Sequence, residues 1–365
     1  MNRRHVLIGA GATVALGGGA TLLTLSGMGS PADYAADIAP LRKPLADPAP
    51  FRDLIRYATL ASNGHNTQPW RFRARERRVD ILPDFTRRTP VVDPDDHHLF
   101  VSLGCAAENL SLASAARGRP GRVRFDPSAA GAVVFDFEHG PERPSALFDA
   151  IPKRQSTRAE YDGRAVGNAD LDRLAKAAAV PGVDLVLLTD RPRIAHLRDL
   201  VEAGNTAQMG DAAFVRELKA WLRFNPRQAL RTDDGLYSVA SGNPALPDWV
   251  GPTAFDWLST AASQNGAYSR QIRSSAGIAI FVGARESPAD WVTVGRACQR
   301  FALQATALGL KHAFINQPVE VASLRPDLAA LIGLPGRRPD IVMRFGYGPT
   351  LPWSPRRPVA EVIEA

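Results

Sequence analysis

Ser62-Asn63-Gly64-His65-Asn66-Thr67-Gln68-Pro69-Trp70-Arg71-Phe72 is the stretch on which the reading of this chain turns. Upstream of it, Phe51, Leu54, Ile55 and Ala58 recur at helical spacing, so an amphipathic helix runs into it. Ser62, Asn63 and Gly64 end that helix, because Asn and Gly tolerate the left-handed backbone and Ser and Asn side chains compete for backbone hydrogen bonds. Downstream, Trp70 and Phe72 alternate with Arg71 and Arg73, the period of a strand with one buried face. Between helix and strand, Asn66 and Gln68 present amides, which both donate and accept, and Pro69-Trp70 braces them. Such a loop suits gripping a flat polar heterocycle. An ordinary helix-to-strand turn has the same pattern.

A chain of 365 residues has room for a substantial core and for two domains or one large one. The hydrophobic fraction of 45% and charged fraction of 22% are globular values, not those of a disordered chain. The net charge of +7 fits nucleic acid, a membrane surface or an anionic ligand. No nucleic-acid module and no long block of like charge is present, so nucleic acid is set aside. A phosphate-bearing ligand on a generally basic surface is the more economical account. Two cysteines make no disulfide framework, and Cys105 and Cys298 sit in Ala-rich helical patterns, where a free thiol behaves as a small apolar group.

At the N-terminus, Arg3-Arg4 precedes an uncharged, mostly apolar, glycine-rich run from Val6 to Gly27. A basic start before an apolar run is a signal pattern, and the paired arginines point to the twin-arginine route. The expectation is an exported, periplasmic or membrane-anchored protein that uses the twin-arginine export machinery. A run of about 20 apolar residues also spans a bilayer, and no clean cleavage motif stands before Asp37, so a retained anchor stays open. Val6-Leu7-Ile8 followed by Gly9 and Gly11 imitates a dinucleotide-binding turn. The third glycine position holds Val14, and no acid follows about 20 residues on. Residues 1–30 are therefore kept out of the fold.

The remaining chain contains an internal repeat. Gly104-Cys105-Ala106-Ala107-Glu108-Asn109-Leu110-Ser111-Leu112 aligns with Gly295-Arg296-Ala297-Cys298-Gln299-Arg300-Phe301-Ala302-Leu303, and in the same register Ala116 meets Ala307 and Gly118 meets Gly309. Both are long apolar helices ended by Gly. Each is followed by strand-like runs: Val123 to Phe125 and Val133 to Phe137 in the first copy, Ala313 to Ile315 and Ile341 to Phe345 in the second. Earlier, Phe51 to Ala58 matches Leu171 to Ala178 as a helix, and Val183 to Leu188 takes the strand position of Trp70 and Phe72. The chain reads as two copies of one α+β unit, roughly 40–145 and 146–365, with helices packed on mixed or antiparallel sheets. The copies differ in what they carry. The first holds the Asn66 loop, where the second has only Val180-Pro181-Gly182. The second adds Ile151 to Arg158 and Pro352 to Pro358, and carries a long insertion, Asn225 to Ser274, rich in Gly, Pro, polar residues and scattered aromatics. Insertions of that length are usually functional, and the aromatics argue against disorder.

Arg154-x-Ser156-x-Arg158 has a physical use: in an extended segment, residues two apart face the same side, so two guanidinium forks and a hydroxyl line one wall. Guanidinium suits bidentate phosphate contacts and delocalised anions. Arg356 and Arg357, between prolines, would supply more. A solvated basic face is the alternative for any one of them. The run Asp93-Pro94-Asp95-Asp96-His97-His98 crowds acids and histidines together, but it precedes a helix, whose N-terminus favours acidic residues. No metal-ligand set of known spacing is present, so no metal is expected.

With these residues in view, the chain resembles the FMN-dependent nitroreductase superfamily, most closely its exported Acg-like branch. The resemblance runs from about Phe51 to Ile363 and rests on SNGHNTQPWRF, KRQSTR, the helix ending Ala307-Leu308-Gly309-Leu310, and RFGYG followed by SPRRP. Ordinary members of that family are homodimers with the flavin at the subunit interface. One subunit gives the R-x-S-x-R segment and the other the N-x-Q-P-W loop. The resemblance therefore implies a dimer fused into one polypeptide, monomeric, with one of its two flavin sites kept.

By position, it implies FMN as cofactor, with Arg154 and Arg158 at the phosphate and the N1/O2 side of the ring and Ser156 between them. Asn63 and Asn66, with Gln68 beside them, would meet the ring or ribityl chain. Asn316 and Gln317 would lie near flavin N5, and Arg356 or Arg357 at the phosphate. The family usually has Pro-Ser where this chain has Ser62-Asn63. No catalytic side chain is implied, since the flavin carries the chemistry. The expected activity is reduction of nitro- or quinone-like compounds with NADPH or NADH as electron donor. The alternative is an FMN-sequestering protein without turnover, its ring shut in by Asn225 to Ser274, which resembles a lid.

Overall fold

In the computed structural model, which describes residues 27–128 and 130–364, two four-stranded antiparallel sheets flank a pair of long central helices. After α1 (Pro31–Ile38), whose N-terminal amides are capped by the Ser30 hydroxyl, α2 (Phe51–Thr59) buries Leu54, Ile55 and Ala58, the face expected from their spacing. A loop of some ten residues leads into the hairpin β1 (Trp70–Arg75) and β2 (Arg78–Pro83), registered so that Phe72 lies opposite Ile81. Then come α3 (His97–Ala115), β3 (Gly121–Asp126) and β4 (Ala132–Phe137). Trp70 and Phe72 are buried, while Arg71 and Arg73 are exposed, as their alternation predicts.

The second half runs α4 (Ala146–Ala150), α5 (Asn168–Ala178) and β5 (Val183–Leu188), then leaves its sheet for α6 (Arg191–Gly210), α7 (Ala212–Trp221), β6 (Leu222–Arg223), α8 (Pro226–Thr232), β7 (Leu236–Tyr237), α9 (Gly251–Leu258) and α10 (Ala261–Arg273). It returns with β8 (Gly277–Gly283), α11 (Pro288–Ala307), β9 (Lys311–Phe314), α12 (Gln317–Glu320), α13 (Arg325–Leu331), β10 (Ile341–Gly346) and α14 (Val359–Val362). The first sheet is ordered β1-β2-β4-β3 and the second β5-β8-β10-β9. In each half, the strands stand in the spatial order first, second, fourth, third.

The halves differ between their first and second strands. Two residues, Glu76 and Arg77, join β1 to β2, whereas 189–276 separate β5 from β8. The excursion thus starts well before Asn225, the boundary expected from composition. The physical reason is that α6 is an ordinary helix, burying Ile194, Leu197, Leu200 and Val201, and gives no loop-like signal. Those residues cover the outer face of the second sheet. Along β8, Ala279 and Phe281 face the core shared by both halves, while Ile278, Ile280 and Val282 face a second core with α6 and α13. A strand covered on both faces reads as the unbroken apolar run Gly277 to Gly283.

At the centre α3 and α11 cross, and each makes the equivalent hydrogen bond to the earlier helix of its own half. Asn109 Nδ2 donates to the Tyr57 carbonyl, and Arg300 Nε, its equivalent in the repeat, donates to the carbonyl of Ala177, the equivalent of Tyr57. Gln299 ties the crossing to the Asn66 loop, donating to Asn109 Oδ1 and accepting from Ser62 N. The C-terminus closes the exchange: Glu364 N donates to the Phe72 carbonyl on the edge of the first sheet.

One expectation is corrected. No helix among the described residues is long and apolar enough to cross a membrane, so the membrane-anchored localisation is not retained. Arg3-Arg4 and nearly all of the apolar run behind them lie outside the described residues.

Candidate functional site

The loop after α2 is held in an unusual conformation. His65, Asn66 and Gln68 have φ of 44°, 54° and 54°, the left-handed region that non-glycine residues occupy only when their surroundings compel it. Hydrogen bonds supply that compulsion. Asn63 Oδ1 accepts from Gln68 N, and Asn66 Nδ2 donates to the carbonyls of Gly235 and Pro355. Gln68 Nε2 donates to the Asp233 carbonyl, and its Oε1 accepts from Arg357 N. The amides of Asn66 and Gln68 are therefore committed to the protein. Gln68 is buried outside the cleft described below; Asn66 reaches only its narrow end. Asn63, Gly64 and His65 present the loop to the open space.

The segment of Arg154 meets that loop directly. Ser156 pairs with His312 of β9, and Thr157 N donates to the His312 carbonyl, which keeps the segment extended. Arg154, Ser156 and Arg158 line one narrow chamber of about 50 Å³ with Ser62, Asn63 and Asn66, so both segments share a cleft. Arg42 and Arg356 add to its walls, and among the described residues no acidic one lines it. Arg154 donates once, to the Leu60 carbonyl at 2.9 Å; its Nε and other terminal nitrogen are buried without a partner. Burial pushes Arg154 down to about 10 and Arg356 to about 9, the neighbouring Arg154 charge adding to the second shift. Burial also holds Arg42 well below its ordinary value, with Arg356 and Arg154 adding to the effect.

Arg356 is anchored by the carbonyls of Thr59 and Ala61 and by Asn66 Oδ1. Arg357 turns the other way: it donates to the Glu361 carbonyl, lies 3.9 Å from Asp84, and lines neither chamber.

Three contributors left no mark in the sequence reading. Arg42 comes from the N-terminal segment, donates to the Pro152 carbonyl and stacks over Trp353 at 4.7 Å. Arg344, fully buried on β10, donates to the carbonyls of Thr157, Ala159 and Gln271, pinning the Arg158 segment to α10. Asp234 receives Arg223 and Arg87 together, one from each half of the chain. The only signal for Arg344 was its place in RFGYG, where an arginine interrupts a strand that is otherwise apolar or glycine.

A wider chamber of about 290 Å³ continues from the narrow one, sharing Ser62, Asn63, Arg158 and Leu236. Asn316 and Gln317 lie on its wall: Asn316 Oδ1 accepts from Val342 N, and Gln317 Oε1 is buried without a partner. Gly204 lets α6 approach, since a Cβ there would lie 2.8 Å from that of Gln317. Phe214, Leu218 and Leu222 form an apolar roof from the excursion. The acidic run before α3 does helix-start work: the Asp93 carboxylate accepts from His98 N and Leu99 N, each at 3.0 Å. Its oxygens and the ring nitrogens of His97 and His98 lie within 4.8 Å of one another, while His97 Nε2 pairs with Asp340 at 2.9 Å. Burial pushes His97 down to about 3 and Asp340 up to about 6.

No family model matches the chain. It is 27% identical over 333 residues to the putative NAD(P)H nitroreductase Rv3131 of Mycobacterium tuberculosis, spanning 87% of this chain and 92% of the relative. It is 25% identical over 327 residues to the putative NAD(P)H nitroreductase acg of the same organism, spanning 86% and 95%. Among solved structures, the FMN-dependent nitroreductase NfnB of Mycobacterium smegmatis in complex with NADPH superimposes with a TM-score of 0.41 at 13% identity, covering 60% of this chain and 97% of that one. A nitroreductase with bound FMN from Desulfitobacterium hafniense gives 0.37 at 15% identity, over 61% and 99%. Superpositions at these scores decide nothing about the site. The sequence similarity to these two putative NAD(P)H nitroreductases runs nearly end to end, and the architecture is α+β with two antiparallel sheets. The likeness to acg is a weak one.

Proposed function

We propose that the two chambers hold FMN and that the chain is an FMN-binding oxidoreductase of nitroreductase type. The observation that carries this is the narrow chamber. Arg42, Arg154, Arg158 and Arg356 converge there with no acid, and two nitrogens of Arg154 are buried without partners. Buried cations in that state call for an anion with several acceptor oxygens, and a phosphate fits. Arg154, Ser156 and Arg356 would hold the phosphate. Arg158, which lines both chambers, would stand beside the N1/O2 side of a ring in the wider one. Asn63, Asn316 and Gln317 would border that ring. Arg357 has no part in this arrangement, and Asn66 and Gln68 shape the loop instead of touching the ligand.

Bound FMN supplies the electron transfer, with NADPH or NADH as donor and a nitro- or quinone-like compound as acceptor. The chain's own residues bind and orient it, and Arg158 sets a positive charge where negative charge would build up on a bound ring. We read the chain as a fused pseudo-dimer, complete as a monomer, with units at about 40–145 and 146–365. The repeated strand order and the equivalent α3–α2 and α11–α5 hydrogen bonds support this.

A second reading, sequestration of FMN without turnover, is favoured by the roof of Phe214, Leu218 and Leu222 over the wide chamber. The purified full-length chain separates the readings. Colourless protein that takes up no added FMN defeats both. Yellow protein that bleaches anaerobically with NADPH or NADH supports the oxidoreductase, and persistent colour supports sequestration.

A further inference from the structure

The wide chamber has a polar end away from the arginines. His98, at the start of α3, and Glu320, at the end of α12, both line it. His98 Nε2 is buried without a partner. Its Nδ1 stands 4.0 Å from Glu320 Oε1 and 4.0 Å from Asp93 Oδ1, beyond hydrogen-bond reach of either. Asp93 is committed to the helix amides. Glu320 is fixed from the other side, where Oε2 accepts from Gln208 Nε2 at 2.6 Å. Two polar groups thus face each other across a gap that neither closes. One ligand oxygen hydrogen-bonded to both, with bonds of about 2.8 Å, would subtend roughly a right angle, close to what a hydroxyl prefers.

The surroundings narrow the ligand further. Apart from Arg158 at the junction with the narrow chamber, no lysine or arginine lines the wide chamber. A carboxylate or phosphate placed at its far end would be desolvated beside Glu320 with no counter-charge. Above the pair lie Phe214, Leu218 and Leu222, which suit an apolar body. Burial raises Glu320 and lowers His98 from their ordinary values.

We infer that His98 and Glu320 form a recognition site for the hydroxyl group of a small, uncharged aromatic molecule. Such a group can both donate to the Glu320 carboxylate and accept from an imidazole N–H. A nitro group only accepts, so it leaves the carboxylate unsatisfied. The inference rests on the flavin reading only for assigning this end of the cleft to the second ligand.

The test is calorimetric titration of the full-length chain, FMN-free and FMN-loaded, with hydroquinone, nitrobenzene and 4-nitrobenzoate. Hydroquinone is expected to bind at least about tenfold more tightly than nitrobenzene, the scale of one satisfied buried hydrogen bond, and 4-nitrobenzoate most weakly. Glu320→Gln and His98→Phe should each abolish the preference for hydroquinone while FMN affinity stays within about twofold of the parent, as expected for groups that do not touch FMN. Equal affinities for the three probes, or a preference that survives both substitutions, overturns the assignment. A thermal melt identifies a variant that has not folded, and the other variant then decides. If FMN itself fails to bind, the flavin reading falls, and the probe titrations on the FMN-free chain still judge His98 and Glu320.

Discussion

Gly104 of α3 and Gly295 of α11 occupy each other's path: a Cβ on Gly104 would lie 2.1 Å from the Val292 carbonyl oxygen, and one on Gly295 would lie 2.0 Å from that of Val101. Val101 and Val292 each precede their own glycine by three residues, so the contact is the same seen from either helix. Backbone meets backbone there, and no side-chain rotation can relieve an added methyl. Gly104→Ala and Gly295→Ala are each expected to destabilise the chain by about 1–3 kcal/mol, despite the better helix propensity of Ala. The double variant should cost less than the sum, because the first methyl already forces the helices apart. Urea unfolding measures this; an unchanged midpoint in both single variants would show that the crossing is looser than described.

Arg154 and Arg357 make a contrasting pair. Arg154 has two buried nitrogens without acceptors on the wall of the narrow chamber, whereas Arg357, which also keeps one buried nitrogen without an acceptor, lies outside both chambers and is turned towards Asp84 and Glu361. Arg154→Ala is expected to weaken FMN binding by about 100-fold, the scale of losing charge-assisted hydrogen bonds to a phosphate. Riboflavin, which has no phosphate, should bind the variant and the parent within a few-fold of each other. Arg357→Ala should leave FMN affinity within about threefold, since it touches neither chamber. Fluorescence-quenching titrations read all three. FMN retained in full by Arg154→Ala would remove Arg154 from the phosphate site.

Much of this architecture was legible because it is local or repeated. Alternation placed Trp70 and Phe72 inward, and the register that aligned Gly104 with Gly295 also aligned the residues that meet across the crossing. The roles of the amides were not legible. Asn66 and Gln68 look like ligand-binding groups in sequence, yet their partners, Gly235, Asp233, Pro355 and Arg357, lie more than 160 residues away. Nothing in a local pattern says whether an amide will be spent on a ligand or on a distant carbonyl. Arg42 was invisible for the same reason: only the folded N-terminal segment carries it to Trp353 and the narrow chamber. The excursion was underestimated because a helix covering a sheet has the same periodicity whether it belongs to the repeat or was inserted into it.

The narrow chamber also predicts a pH dependence. Burial holds Arg356 at about 9, well below its ordinary value, so above about 9 the ligand-free folded chain has released a proton that the unfolded chain keeps. Where the unfolded state binds more protons, stability rises with pH, so the penalty this group places on folding is full below about 9 and shrinks progressively above it. A bound phosphate reverses the balance by favouring the charged form. FMN affinity should therefore be flat from pH 7 to about 8.5, then fall towards tenfold per pH unit above about 9, as binding takes up a proton. Riboflavin run in parallel controls for titration of the ring itself. An FMN affinity that tracks riboflavin across the whole range would show that no buried guanidinium titrates on binding.

Asp234 is the tie between the excursion and the site. Arg223 donates to its Oδ1 through two nitrogens, and Arg87, which also donates to the Thr67 carbonyl beside the Asn66 loop, reaches its Oδ2. The Asp234 side chain is only 10% exposed, so its removal strands two largely buried guanidinium groups. Asp234→Ala is expected to cost about 3–5 kcal/mol of stability, the range for breaking a buried pair from one side. Because Asp233 and Gly235 accept hydrogen bonds from Gln68 and Asn66, the loosened turn should also free the loop and the roof above the wide chamber. FMN dissociation should then accelerate by about tenfold or more, equivalent to ~1.4 kcal/mol, with the association rate little changed. Stopped-flow exchange against excess riboflavin measures the off-rate. An off-rate equal to that of the parent, in a variant shown by its melt to be destabilised, would mean that the excursion covers the cleft without holding its contents.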